Sequence, residues 1–247
     1  MNRKLAFAGG ILGLFLFWKL LSLRIGSPIL LPPPEEAFRQ LGRLLRTEDF
    51  WRALGATTLR SLYGFTVSFL LGVLTGTLAG LVPPFRAFFR PALTVLRTIP
   101  VLALILLAML WFVTDLVPVF VCFLMVYPLI FANVLEGILR VDVKLLEMSR
   151  IYGLGFFPRL FHILLPSLVP YLAAAANAGL GMAWKVTIAA EVLAQPARAV
   201  GTGIQWAQLN LETGEVLAWT AAAILLSGLS EGILGLVSRR LAARRSL

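Results

Sequence analysis

The sequence predicts an all-α, polytopic membrane protein with six transmembrane helices. Three observations carry that expectation. Of 247 residues, 59% are hydrophobic and only 14% are charged, whereas soluble domains are about a quarter charged. Six apolar runs each approach the roughly 20 residues that a bilayer crossing requires. Proline and glycine punctuate those runs in a way that a passive bundle does not need. A soluble fold of this size has nowhere to bury so much apolar side chain, and the same composition excludes disorder. The net charge of +10 would suggest nucleic acid in a soluble protein. Here it fits basic loops facing the cytoplasm and anionic lipid, with no nucleic-acid partner. Cys122 is the single cysteine and lies in an apolar run, so no disulfide framework forms within the chain.

The expected spans are about Leu5 to Leu23, Thr58 to Val82, Leu93 to Val113, Leu116 to Leu139, Ile163 to Ala190 and Val216 to Val237. The first follows Arg3 and Lys4, as a signal peptide would. No small-x-small cleavage site succeeds it, and Lys19, Leu20 and Leu21 continue it, so a retained helix is expected. Together the spans use over half the chain, which predicts one membrane domain over residues 1–247 with a core at about 58–240.

Between the first two spans, Leu31-Pro32-Pro33-Pro34 is a stiff extended piece. Glu35-Glu36 then opens an amphipathic helix, with Ala37, Leu41, Leu44 and Leu45 as its apolar stripe on the outer surface. In the second span, Gly64, Ser68, Gly72, Gly76 and Gly80 recur every fourth residue. They form one stripe of small residues where another helix can approach closely. That neighbour is either another helix of the chain or a second subunit. Prolines at 100, 118, 128, 166 and 170 interrupt the later spans, as in transporters whose helices bend around a moving pathway. Residues 200–206 are too polar to span and too apolar for a solvated loop, so they read as a short helix or re-entrant piece at the outer mouth.

Basic residues set the orientation. One face carries Arg3 and Lys4, Arg86, Arg90 and Arg97, Arg140, Lys144, Arg150 and Arg159, and Arg239, Arg240, Arg244 and Arg245. The other carries Arg24, Arg39, Arg43, Arg46, Arg52, Arg60 and Arg198. The first and richer set is expected to be cytoplasmic, with both termini inside. The long first loop is the awkward part, because its arginines are only partly balanced by Glu35, Glu36, Glu48 and Asp49.

Several chemistries are missing. There is no phosphate-loop pattern and no Gly-Lys pair, so the chain is not itself a P-loop ATPase. His162, the only histidine, has no metal-ligand neighbour in sequence, and no metal or cofactor is expected. Asp115, Glu136, Glu191 and Glu231 are scattered over the spans without close pairing, which argues against an enzyme.

The largest cytoplasmic loop is the most informative stretch. Residues 143–152 have helical spacing, with Leu145, Met148 and Tyr152 on one face and Lys144, Glu147 and Arg150 on the other. Gly153 is placed to end that helix, and a second short helix follows before Pro166 and Pro170. Such a helix-Gly-helix reads as a docking element for a soluble partner or as an amphipathic connector on the lipid surface.

At this point the sequence resembles the permease subunits of binding-protein-dependent ABC importers. Their signature is E-A-A, three residues, G, nine residues, I-x-L-P. The chain has Glu147-Met148-Ser149, three residues, Gly153, nine residues, Ile163-Leu164-Leu165-Pro166. Other stretches are similar to the aliphatic sulfonate, taurine and nitrate branch. These are Leu31 to Pro34, Thr58 to Phe65, Arg97-Thr98-Ile99-Pro100, and Ala183-Trp184 through Ala189-Ala190-Glu191. The chain departs from the branch at Leu106 and Val113, where a proline and a glycine are usual. The resemblance implies the type I importer (MetI-like) permease fold and a coupling segment at 143–162 that docks on a cytoplasmic ABC ATPase. Glu147, Met148, Ser149, Arg150, Gly153, Ile163 and Pro166 would carry that docking. It further implies a second permease copy, a periplasmic or lipid-anchored solute-binding protein, and ATP bound by the partner subunit alone. The solute would be small and anionic, of the sulfonate, taurine or nitrate type. Vitamins or their precursors, such as a thiamine pyrimidine or riboflavin, are the alternative cargo, and an ion-coupled secondary transporter is the alternative mechanism.

The residues themselves offer a pathway. Asn177, Gly181 and Lys185 lie at i, i+4 and i+8 on one face of the fifth span, and Glu191 is farther round. An ionisable residue at that depth costs about 3 kcal/mol to insert, so it is a functional candidate. Lys185 either lines a route for an anion, or pairs with an acid on a neighbouring helix or reaches for the surface.

Overall fold

The small-residue stripe of the second span decides the centre of the molecule. In the computed structural model, which describes residues 3–243 and their side chains except at 3–5, 8, 150, 156 and 237–243, that span is the middle of a helix, α3 (Glu48–Leu81). It lies along α6 (Val117–Leu139). A Cβ added at Gly72 would fall 2.8 Å from Ile130 Cγ2, and one at Gly76 would fall 2.9 Å from the Phe131 carbonyl oxygen. The α3 backbone therefore lies directly against Ile130 and against the α6 backbone at Phe131. Ser68 Oγ donates to the Gly64 carbonyl at 2.7 Å within its own helix, and Thr75 Oγ1 meets Tyr127 Oη at 3.0 Å across the seam. Helix α6 also packs on α9 (Leu165–Ala194) through Val126 and Ile130, which a Cβ added at Gly179 would meet at 3.3 and 3.4 Å, in a cluster that also holds Val134, Ala175 and Ala183.

The helix α3 starts earlier than the apolar run alone predicts. Thr47 is extended at the N-cap, and Glu48 and Asp49 fill the first turn, where the helix dipole favours acid. Arg52 pairs with Glu48 one turn on. The fourth, fifth and sixth expected spans fall on α6, α9 and α11 (Thr213–Ala243).

The third expected span, Leu93 to Val113, is not one straight helix. It divides into α4 (Pro83–Thr98) and α5 (Val101–Trp111), bent by 101°. Pro100 has no N–H to continue the ladder, and its ring forces Ile99 into an extended conformation (ψ 126°). The ladder restarts when Leu104 N donates to the Pro100 carbonyl at 3.2 Å. From there α5 runs unbroken past Leu106 and ends before Val113. Among the described residues, four helices are long and apolar enough to cross a membrane, or five if the bent pair is one span.

The Pro-rich turn straps the N-terminal helix α1 (Arg3–Ile25) to α2 (Pro34–Leu44). Trp18 Nε1 donates to the Pro32 carbonyl at 3.0 Å, and Ser22 Oγ donates to the Leu31 carbonyl at 2.8 Å. Lys19 pairs with Glu35, and this ammonium donor holds the Glu35 carboxyl below its usual pKa. The α2 helix lays Leu41 and Leu44 toward Phe50, Trp219, Ala222 and Ala223, and Ala37 is buried. Leu45 lies at the C-cap and is exposed. Residues 200–206, expected as a short helix or re-entrant piece, fall in α10 (Val200–Leu209), whose first residues are buried.

The α3–α6 seam generates a stability prediction. Gly76→Ala forces a methyl against the Phe131 carbonyl and should destabilise by about 1–3 kcal/mol. Gly228→Ala on α11, where an added Cβ meets nothing within 4 Å, should be neutral or slightly stabilising. Thermal melts of the detergent-solubilised protein distinguish the two, and an equal response would sink the seam.

Candidate functional site

The helix of the large loop, α7 (Val143–Ile151), is set by its neighbours in sequence. Asp142 Oδ1 accepts from Lys144 N at 2.9 Å and caps its start. At its end Gly153 is left-handed (φ 63°), and Leu154 N reaches back to the Ser149 carbonyl at 2.9 Å. That is the six-to-one bond of a Schellman ending, which places glycine in the left-handed position. An added Cβ at Gly153 would meet no atom within 4 Å, so backbone conformation alone selects the glycine.

The face of α7 turned inward carries Leu146 and Ser149. Leu146 packs with Leu81 and Leu160 against Val141, Ile163 and Leu164, and Ser149 is fully buried with its hydroxyl on the Leu146 carbonyl. Leu145, Met148 and Tyr152 point outward, with Glu147 exposed among them. The α6–α7 connection rotates the helix so that the small Ser149 meets the body of the protein. Ile151 is 84% exposed and Tyr152 is 76% exposed. The backbone of Arg150 lies in α7, and its side chain is outside the described residues.

Beyond Gly153 the short α8 (Phe156–Arg159) runs into a π turn (Leu160–Leu164) and then α9. Pro166 occupies the first turn of α9. Its ring would crowd the carbonyl four residues back in a regular α-helix, and the wider turn gives it room. Ile163 is buried and Pro166 is exposed. His162 Nδ1 contacts the Pro158 carbonyl at 2.9 Å at the surface.

The stripe on α9 is split by its surroundings. Asn177 Nδ2 donates to its own helix at Ala173 and borders a groove against α11. Gly181 faces Glu231, whose Oε1 would lie 2.8 Å from an added Cβ. Lys185 is exposed and makes no ion pair among the described residues.

Glu191, expected on the pathway, is completely buried. Its carboxylate accepts from Thr57 Oγ1 at 2.9 Å, Arg60 Nη1 at 3.0 Å and Gly201 N at 3.2 Å. Thr57 Oγ1 in turn accepts from Val200 N at 2.9 Å. The acid therefore meets the N-terminus of α10, where free amides and the helix dipole favour negative charge. Gly201 is required for this approach, since a Cβ there would lie 2.5 Å from Glu191 Cβ. Arg60 extends the cluster, donating to the Arg198 carbonyl at 2.8 Å and pairing with Asp115 just before α6. One arginine thus joins α3, α9 and the two connections beside α6 and α10. Sequence reasoning counted Arg60 only as an outward charge. The available signal was that Arg60 and Glu191 both lie in the stretches that resemble the sulfonate branch.

The family model described as "Binding-protein-dependent transport system inner membrane component" matches residues 68–243. The taurine transport system permease protein TauC of Escherichia coli K12 is 26% identical over 98% of the chain and 90% of its own length. The putative aliphatic sulfonates transport permease protein SsuC of Bacillus subtilis 168 is 27% identical over 91% of the chain and 82% of its own length. Among solved structures, a bacterial ABC transporter involved in import of the acidic polysaccharide alginate contains a chain that superposes with a TM-score of 0.66 at 18% identity. It covers 98% of this chain and 96% of that one.

The buried carboxylate generates the next prediction. Arg60→Met leaves Glu191 without its cation and should destabilise by about 3–5 kcal/mol. Adding Glu191→Gln should recover part of that loss, while Asp115→Asn, at a carboxylate that is 66% exposed, should cost less than about 1 kcal/mol. A double-mutant cycle on thermal stability measures the coupling, and strict additivity of Arg60→Met and Glu191→Gln would count against the pair.

Proposed function

The chain belongs to the binding-protein-dependent transport system inner membrane components, the permease subunits of ATP-driven ABC importers, and from that premise we propose that it carries a small anion of the sulfonate, taurine or nitrate type. It is a multi-pass protein of the inner membrane and a transport permease rather than an enzyme. ATP hydrolysis belongs to a separate subunit in importers of this kind.

The outward face of α7 carries the docking reading. Val143, Leu145, Met148, Ile151 and Tyr152 are all exposed, with Glu147 in their midst. An apolar surface of that extent, rimmed by charge, calls for a partner. A groove of the cytoplasmic ATPase is that partner in this reading. Glu147, Met148 and Arg150 belong to the contact, and Gly153 fixes where the helix turns away. Ser149, Ile163 and Pro166 tie the segment at 143–162 to α9, so that motion of the ATPase is passed to a membrane-spanning helix.

The remaining assignments complete a working importer. Residues 1–247 act as one transmembrane domain with its core at about 58–240, and α1 makes the sixth crossing. Both termini face the cytoplasm. On the opposite face Arg39, Arg52 and Arg60 are each paired with an acid, which reduces the positive charge that would oppose this orientation. Helix α1 touches the rest of the chain chiefly through α2 and leaves Leu12, Leu14, Leu16 and Phe17 exposed. A second copy of the chain covers that face in a homodimer, and a solute-binding protein delivers cargo to the outer mouth. Gly72, Gly76 and Gly80 keep α3 and α6 together as the halves move. Lys185, open beside Asn177 and Gly181 on α9, contributes the positive charge of the pathway. Glu191 supports it from within as the anchor of Arg60.

Two experiments test the reading. Gly153→Val places a β-branched residue at φ 63°, where ordinary residues lose about 1–2 kcal/mol. It should sharply reduce co-purification of the ATPase, while Gly155→Ala should not. Full assembly of the Gly153→Val protein would overturn the docking role. Lys185→Ala and Lys185→Met should each slow ATP-driven uptake of taurine or a related sulfonate by about tenfold, or about 1.4 kcal/mol in the barrier. Unchanged uptake in both removes Lys185 from the pathway.

A further inference from the structure

An arginine-lined cleft lies between α4 and α6. Arg86, Arg90 and Arg97 recur at i, i+4 and i+11, which puts them on one face of α4. That face forms one wall of a cleft of about 840 Å³, and Arg140 at the end of α6 lies at its rim. Arg86, Arg90 and Arg97 have no acidic partner among the described residues. The one acid on the wall, Glu136, is taken by Arg140 at 2.7 Å. The stripe rises ~16 Å from Arg86 to Arg97 at the helical rise of about 1.5 Å per residue. At its inner end Arg97 donates one N–H to the Pro128 carbonyl at 3.1 Å, midway along α6. A second cavity of about 360 Å³ continues from Arg97 and Ala132 to Asn133 and Met182. Met182 is about one turn of α9 from Lys185.

Unpaired guanidinium groups at that depth are unfavourable unless they meet water or an anion. The lipid headgroup region does not reach the middle of a spanning helix, so the inner part of the stripe is not explained by anionic lipid. We propose that the cleft between α4 and α6 is the inward exit route of the transported anion. Arg97 is its mid-membrane station, and Arg90 and Arg86 are successive steps toward the cytoplasm. The inference rests on the transport reading above and adds the route, the residues and the sign of the charge. One guanidinium N–H of Arg97 is held by Pro128, which fixes the head while the others remain available to an anion. Successive arginines one to two turns apart let an anion move on without a deep trap, since each site is partly relieved by the next.

The test uses the full-length chain with a thiol reporter on the cleft wall. The native Cys122 is fully buried, so it contributes little background. Ala132→Cys, on the wall shared by both cavities, is reacted from the cytoplasmic side in phosphatidylcholine proteoliposomes. The reagents are a sulfonate-bearing and a trimethylammonium-bearing methanethiosulfonate, and their rate ratio is normalised to that of a free small thiol. The ratio should favour the anionic reagent by about tenfold, as a focused positive field does, and fall toward the free-thiol value in the Arg90→Gln Arg97→Gln background. If Ala132→Cys fails to fold, Leu135→Cys reports on the same wall. A ratio at or below that of the free thiol overturns the proposal. So does a preference that vanishes when phosphatidylglycerol is added, because the arginines are then occupied by lipid headgroups. The labelling does not depend on ATP or on cargo, so failure of sulfonate uptake alone counts against the transport reading and not against the basic cleft.

Discussion

Helices in lipid gain little from burying apolar surface against one another, because the lipid tails are just as apolar. Their association depends on how closely the backbones approach. The α3–α6 seam meets that requirement with Gly72 and Gly76 against Ile130 and Phe131. Everything else is placed relative to this pair. Helix α6 also receives α9, and α4 packs beside it through Leu93. Helix α6 is thereby covered on several sides, and its C-terminal end fixes where the α7 segment emerges.

The second constraint is electrostatic. Glu191 is removed from solvent, and its charge is acceptable only because three donors from two other elements converge on it. This ties the start of α10 to α3 and α9, while Arg60 extends the tie to Asp115. The end of the molecule at the start of α10 is therefore held by polar contacts. The opposite end, around α7, is held by a small apolar cluster and one buried serine hydroxyl. The two ends are thus held by different kinds of contact, polar at one and apolar at the other.

Charge divides along the same line. Arg39, Arg52 and Arg60 are paired with Glu36, Glu48, Asp115 and Glu191. The arginines of α4 keep their charge and border a cleft. Residue counts by loop do not reveal this difference, because it depends on which side chains meet.

The sequence by itself determined the class of the protein, the helical pieces and their approximate ends. Hydropathy and proline spacing are local, and the period of four in Gly64 to Gly80 needs no knowledge of a partner. Gly153 was legible for the same reason: a left-handed helix ending is a property of a few consecutive residues. Tertiary structure decided what those local signals meet. Only it shows that α6 is what the glycine stripe contacts, and that the third span turns by 101° at Ile99-Pro100. Only it turns α7 so that Ser149, not Leu145 or Met148, faces inward. It also withdraws Glu191 from an open face, because the partners Thr57, Arg60 and Gly201 come from segments far apart in the chain. Periodicity assigns a residue to a side of its own helix, and the packing of other helices decides whether that side meets lipid, solute or a counter-charge.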